Sequence, residues 1–253
     1  MNICDKFKKI YDCIRFFYSE CKTFHISAYS AKVSYFFILS FVPLTALINK
    51  FLASLFFDIN YNFSHLISFG TLLSAWSAGK GFNAMSEGFN IILNITKSKN
   101  YFIKRIRGLI LSIVFALIIV FLIISGLFGL RIISALFNIN EYKVLFSVLQ
   151  KVFFYFFVYG LVVFGYSYLP DWKHKDCFIV KPSVKHVCIA SLLTSFVICV
   201  LFFLFSLYIS NEIKDITYTS LFYFSLTVII WIYLSVYVIM IGFKIVNDLN
   251  KHH

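Results

Sequence analysis

Seven charged side chains fall within or at the ends of apolar stretches of this 253-residue chain: Lys32, Lys50, Lys80, Glu87, Arg131, Lys151 and Lys244. A charge held in hydrocarbon costs at least ~2.5–3.5 kcal/mol, so each needs a partner, a water-filled cavity or a short route to the surface. Lys32 and Lys244 sit at segment ends, and Arg131 and Lys151 lie within about two turns of one, so all four can snorkel. Lys50 either lies inside a long first segment or marks its end. Lys80 and Glu87 are different. Seven residues of helix put them two turns, or ~10.5 Å, apart on one face, too far for a direct ion pair. Each should find a partner on another helix or face a polar cavity. Around them stand Ser74, Ser77, Gly79, Gly81, Asn83, Ser86, Gly88 and Asn90. Small residues let helices approach closely, and Ser or Asn can hydrogen-bond between them. Two readings stay open: a central helix enclosed by protein, or a helix lining a polar pathway. In the second, the cation of Lys80, with Tyr35, Tyr208 or Ser210 nearby, favours a polar or anionic ligand. Pro43 frees a backbone carbonyl in the first segment and bends it, which could shape such a cavity.

Residues for covalent chemistry are sparse. Asp171, His174, Asp176 and His186 share one loop, but Lys173 and Lys175 interleave with them and no second acidic cluster follows. Phosphodiester cleavage needs a metal-binding carboxylate cluster or a paired acid and base, so a solvated loop is the expectation there. There is no Gly-x-Ser-x-Gly setting for a serine nucleophile and no phosphate-cradling glycine loop. None of the six cysteines is in Cys-x-x-Cys spacing, which supports neither zinc nor a redox dithiol. The expectation is no enzyme, no cofactor and no metal.

The elements that must position these residues follow from composition. The chain is 60% hydrophobic and 13% charged, against about 45–50% and 25% for soluble domains. That is too little charge to coat a water-facing surface, and it points to an integral membrane protein. Six hydrophobic segments run from about Val33 to Phe57, Leu66 to Ile95, Gly108 to Phe137, Val144 to Leu169, His186 to Ile209 and Ser220 to Val246. Each is long enough for the ~20 helical residues that span a bilayer core. None alternates as a barrel strand would. Before them, residues 5–24 carry Phe7, Ile10, Tyr11, Ile14, Phe17, Tyr18, Cys21 and Phe24 on one helical face and Lys8, Lys9, Arg15 and Lys22 on the other, the pattern of an amphipathic interfacial helix. The expected fold is all-α and polytopic: residues 1–30 amphipathic, 31–248 a bundle of six transmembrane helices, 249–253 a short tail. The N-terminus carries charges throughout with no cleavage site, unlike a secretory signal.

Lys and Arg alternate between the connections. The N-terminal stretch, the loop after segment two, the loop after segment four and the C-terminal end hold 16 between them, and the alternate loops hold only Lys143 and Lys214. The positive-inside rule then places both termini in the cytoplasm. The net charge of +12 is absorbed by those loops and calls for no nucleic-acid partner. Lys97, Lys99, Lys104, Arg105 and Arg107 form a juxtamembrane basic cluster expected to face anionic lipid. That cluster and the N-terminal helix support a second function class, a non-transporting scaffold that binds partners or lipids.

Four stretches in order resemble the YihY/BrkB family of bacterial inner-membrane proteins. They are Ala31-Lys32-Val33-Ser34-Tyr35 through Leu39-Ser40-Phe41-Val42-Pro43-Leu44; Leu73-Ser74-Ala75-Trp76-Ser77-Ala78-Gly79-Lys80-Gly81 with Asn90 beyond; Tyr168-Leu169-Pro170; and Ser206-Leu207-Tyr208-Ile209-Ser210-Asn211, then Tyr218, Ser220, Trp231-Ile232-Tyr233-Leu234-Ser235 and Gly242. Two positions depart: Thr219 replaces a usual glycine, and Lys244 stands where the family commonly has an acid. The resemblance implies a six-span fold in the bacterial inner membrane, with membrane lipids as partners. Homo-oligomers are compatible with it. The family carries an old ribonuclease label, which the missing acid and base groups argue against, and a looser transporter label. The candidate pathway for a polar, anionic or lipid substrate is therefore Lys80, Glu87, Trp76, Ser77, Asn90, Tyr35, Pro43, Tyr208, Ser210 and Tyr218.

Overall fold

A computed structural model describes residues 23–40, 64–95, 104–108, 110–112, 139–171, 183–212 and 218–251, and these are helical apart from short turns and ends, with no strand among them. The amphipathic segment before residue 23, Pro43, Lys50, Lys97, Lys99, Arg131, most of segment three, and His174 and Asp176 lie outside the described residues. Helix α1 covers 26–40; α2 is Ser64–Ile92, α3 Ile139–Tyr168, α4 Val184–Glu212 and α5 Tyr218–Lys251. A shorter helical stretch covers 104–108.

Three described helices are long and apolar enough to cross a membrane, through Lys151–Tyr168, Val184–Ser210 and Tyr223–Asn250. The chain is thus a membrane protein of apolar helices. Helix α2 reaches spanning length, with 29 residues, but its Ser, Gly, Asn and Lys content separates it from those three.

Two punctuation points are visible in the backbone. His25 takes a positive φ of 50° just before α1, so the chain turns there. Asn94, at φ 56°, ends α2 in a Schellman motif: its N–H donates to Ile91 O at 2.9 Å and Ile95 N–H donates to Asn90 O at 2.9 Å. Asn is the residue after Gly most at ease in this left-handed position, and the two bonds satisfy carbonyls the helix end would orphan.

The residues divide into two compact units. One comprises residues 1–34, 84–98 and 166–253, the other 35–83 and 99–165, so α1 and α2 each supply residues to both. In the first unit α4 packs on α5. Its core is aromatic: the Phe89 ring stacks on Phe243 at 4.2 Å and meets Tyr166 edge-on at 5.9 Å, all three buried. Tyr166 Oη donates its one proton to Ile239 O at 2.8 Å and lies 3.1 Å from Thr194 Oγ1, which itself donates to Ala190 O at 2.7 Å. A Cβ on Gly242 would collide with both Tyr166 Oη and Thr194 Oγ1, so only glycine admits this three-helix contact. Between helices in lipid the attraction is van der Waals packing plus such hydrogen bonds, since lipid tails are as apolar as leucine.

In the second unit close approach is again set by glycine. A Cβ on Gly81 would meet the Phe37 ring at 3.0 Å, and one on Gly108 would lie 2.6 Å from both Gly79 O and Asn83 Oδ1. Ser77 Oγ donates to Phe36 O at 3.0 Å, tying α2 to α1. Exposed Phe153, Phe156, Phe196, Phe203, Leu204 and Ile230 project from α3, α4 and α5, the side chains expected to face hydrocarbon.

Candidate functional site

Helix α2 positions most of the predicted residues. Its two halves fall in different units, so Trp76, Ser77 and Lys80 form one group and Glu87 and Asn90 another.

In the first group Lys80 Nζ lies 5.6 Å from the centroid of the Phe36 ring and 6.0 Å from that of Trp76. Lys80 was expected to find a partner on another helix or to face a polar cavity; part of what it meets is the π face of Phe36 on α1. No carboxylate among the described residues lies within ion-pair reach of it. Trp76 is half-exposed, and its other visitor is Arg105, whose guanidinium carbon stands 3.5 Å from the ring centroid. Arg105 Nη2 also reaches Trp76 O at 3.5 Å. Arg105 was counted with a basic cluster facing anionic lipid; it is 8% exposed and its side chain lies against Trp76, midway along α2. The reason is that the indole gives a guanidinium plane a flat, electron-rich partner, a contact that strengthens as water is excluded, to ~2 kcal/mol or more. Arg105 Nε is buried and has no hydrogen-bond partner among the described residues. Of the rest of the basic cluster, Lys104 and Arg107 are half-buried. Tyr35 is exposed, its ring 5.4 Å edge-on from Phe36.

In the second group Glu87 Oε2 accepts from Lys32 Nζ at 2.7 Å, the two side chains 40% and 49% exposed. Lys32 also lies 5.8 Å from the Tyr29 ring centroid. Glu87 therefore does find its partner on another helix, and Lys32 is engaged where a snorkelling end was expected. Asn90 is buried and makes a reciprocal clasp with Asp171: its Nδ2 donates to Asp171 Oδ2 at 3.1 Å, and Asp171 N–H donates to Asn90 Oδ1 at 3.0 Å. Asp171 is 2% exposed. The expectation of a solvated loop fails at this residue, because the turn after Tyr168 folds the carboxylate back onto α2. Ser86 Oγ fixes the same turn by donating to Leu169 O at 2.7 Å. Lys244, expected to snorkel, is instead 1% exposed, with Nζ 3.6 Å from Asp248 Oδ2 one turn on. The position at which the resemblance implies an acid holds a buried base, with an acid four residues later. Tyr208 and Ser210 are exposed on α4, in a different unit from Lys80. Tyr218 opens α5.

Asp171 and the stacking partner of Arg105 were missed by sequence reasoning. The pattern of small and polar residues on α2 signals that something packs there; it does not say which residue. Among the described residues no group of three or more His, Cys, Asp or Glu side chains could hold a metal.

Comparison with known proteins agrees with the sequence resemblance. Residues 58–252 match the family model described as Virulence factor BrkB. No curated protein and no solved structure matches the chain.

Proposed function

The chain belongs to the YihY/BrkB family, and from that premise we propose that it is a six-span protein of the bacterial inner membrane, with both termini cytoplasmic, that binds and moves a polar, anionic or lipid substrate along α2. The observation that carries this reading is Lys80. A cation on a helix of small and polar residues sits against two aromatic rings, 5.6 and 6.0 Å from their centroids, and among the described residues no acid neutralises it. A purely structural lysine at this depth would be an expensive choice, since a neutral side chain would pack there without the insertion cost.

The test uses the full chain in proteoliposomes, with uptake of radiolabelled inorganic phosphate and flipping of a fluorescent phosphatidylglycerol as readouts. Wild type should move at least one of the two. Lys80→Ala should lose tenfold or more of that rate while retaining helical content, and Lys80→Arg should recover part of it. If wild type moves neither, or Lys80→Ala keeps the full rate, the transport reading falls, and a lipid-binding scaffold held by the N-terminal helix and the basic loop becomes the better account.

A further inference from the structure

We infer that Trp76, Lys80 and Arg105 form a phosphate-binding site, with Arg105 supplying directed donors and Lys80 a second charge. The inference rests on the reading of Lys80 as a substrate-facing cation. Both cations engage one indole ring: the Arg105 guanidinium carbon is 3.5 Å from the Trp76 centroid and Lys80 Nζ is 6.0 Å from it. Stacking uses the face of a guanidinium. Its N–H donors lie in its plane, at the edge, and one of them, on Nη2, reaches Trp76 O at 3.5 Å. Here that edge holds a donor without a partner, since Arg105 Nε is buried and makes no hydrogen bond among the described residues. A guanidinium that is 8% exposed and lacks a carboxylate among the described residues has the chemistry of a site awaiting an anion.

The surrounding sequence deepens the deficit. The unit made of residues 35–83 and 99–165 carries nine Lys and Arg against two acids, Asp58 and Glu141. It cannot neutralise its cations one for one. A phosphoryl group fits better than a carboxylate for two reasons. It offers more than one anionic oxygen, so the guanidinium fork can be answered bidentately while another oxygen faces the ammonium. The half-exposed indole also gives a glycerol or acyl portion an apolar surface to lie on. The phosphoryl group could belong to a lipid headgroup or to free phosphate, and the two are separable.

The full chain in maltoside micelles is titrated calorimetrically with inorganic phosphate, dihexanoyl phosphatidate and, as a zwitterionic comparison, dihexanoyl phosphatidylcholine. Saturable binding of phosphatidate alone would assign a lipid headgroup; binding of both anions would show that the phosphoryl group suffices. In either case Arg105→Gln and Lys80→Gln should weaken binding tenfold or more. Arg105→Lys should also weaken it, because it keeps the charge and loses the fork. Should Arg105→Gln fail to fold, Lys80→Gln and Arg105→Lys carry the comparison. No saturable binding of either anion, or variants that bind as wild type does, overturns the inference. If Lys80→Ala abolishes flux while neither anion binds, this site is wrong and the transport reading stands. If both the site and its variant losses are found but no flux is, the site stands and the transport reading falls.

Discussion

At the scale of single residues, the contacts sort by whether water can reach them. The Lys32–Glu87 pair is short, at 2.7 Å, but both side chains are nearly half-exposed. Such pairs contribute about 0–1 kcal/mol, because water and lost side-chain freedom offset the attraction. A double-mutant cycle with Lys32→Met and Glu87→Gln, read by thermal unfolding in detergent, should therefore give a coupling below about 1 kcal/mol; a value several times larger would place this pair in hydrocarbon. The Asn90–Asp171 clasp is the opposite case. Both partners are buried, at 5% and 2% exposure, and the side chain of Asn90 meets both the carboxylate and the backbone N–H of Asp171. Replacing Asn90 by Ala removes both of these buried hydrogen bonds, and losing a buried partner costs about 1–3 kcal/mol, more when a charged group is involved. Asn90→Ala should lower stability by about 2 kcal/mol or more on that basis. Asp171→Asn, which keeps an acceptor for the Asn90 amide, should cost less. Equal losses in the two variants would show that the carboxylate charge, and not the clasp, is what α2 holds. Only half of this pair was legible in the sequence. Asn90 stood out as a polar residue on a helix of small ones, whereas Asp171 sat among Lys173, His174 and Asp176 and looked solvated, because nothing local announces a contact across 81 positions.

At the scale of elements, helix identity was readable and helix ends and contacts less so. Apolar runs of spanning length predict α3, α4 and α5, and their positions follow the predicted segments closely because length and hydropathy are properties of the run itself. The break at His25 and the stop at Asn94 depend on single φ values, and neither residue type demands one. Asn94 gives a direct test. A left-handed residue with a β-branched side chain is strained by roughly 1–2 kcal/mol, so Asn94→Val should lower the unfolding midpoint while Asn94→Gly leaves it unchanged or raises it. If Val is tolerated as well as Gly, the Schellman end is not what stops α2. Gly242 tests the contact between helices. Its missing Cβ is the space taken by Tyr166 Oη and Thr194 Oγ1, and the neighbouring atoms belong to a core of Phe89, Phe243 and Tyr166. Gly242→Ala overpacks that contact, at a typical cost of 1–3 kcal/mol. Adding Thr194→Ala removes one of the two colliding atoms and should recover part of the loss, even though it gives up the Thr194 hydrogen bond. A double variant no better than Gly242→Ala would show that the backbone itself cannot separate the helices.

At the scale of the whole molecule, two physical fields act on the chain and they leave different marks. Hydrocarbon selects for apolar length, which is why the membrane class could be read from 60% hydrophobic content and agrees with three described helices long and apolar enough to cross. The insertion machinery and membrane potential select for where Lys and Arg lie, which is a property of connections and not of packing. Packing can then draw a counted charge inward: Arg105, counted with the loop after segment two, is stacked on Trp76 midway along α2. Charge counting survives that loss. Without Arg105 the loops assigned to the cytoplasm still hold 15 Lys and Arg against two in the alternate loops, and the rule depends on the contrast, not on any one residue. Reporter fusions that are active on only one side of the membrane test this. Fusions within 97–103 and after residue 251 should report cytoplasm, and fusions beside Lys143 and Lys214 should report the outer side. Inverting the contrast, by replacing Lys97, Lys99 and Lys104 with Gln while adding Lys beside Lys143, should produce mixed orientations in those fusions. Substituting Arg105 alone should leave orientation unchanged and instead disturb the Trp76 contact. If the Arg105 substitution reverses the fusions, that residue acts as a loop charge during insertion and its place against the indole is reached only afterwards.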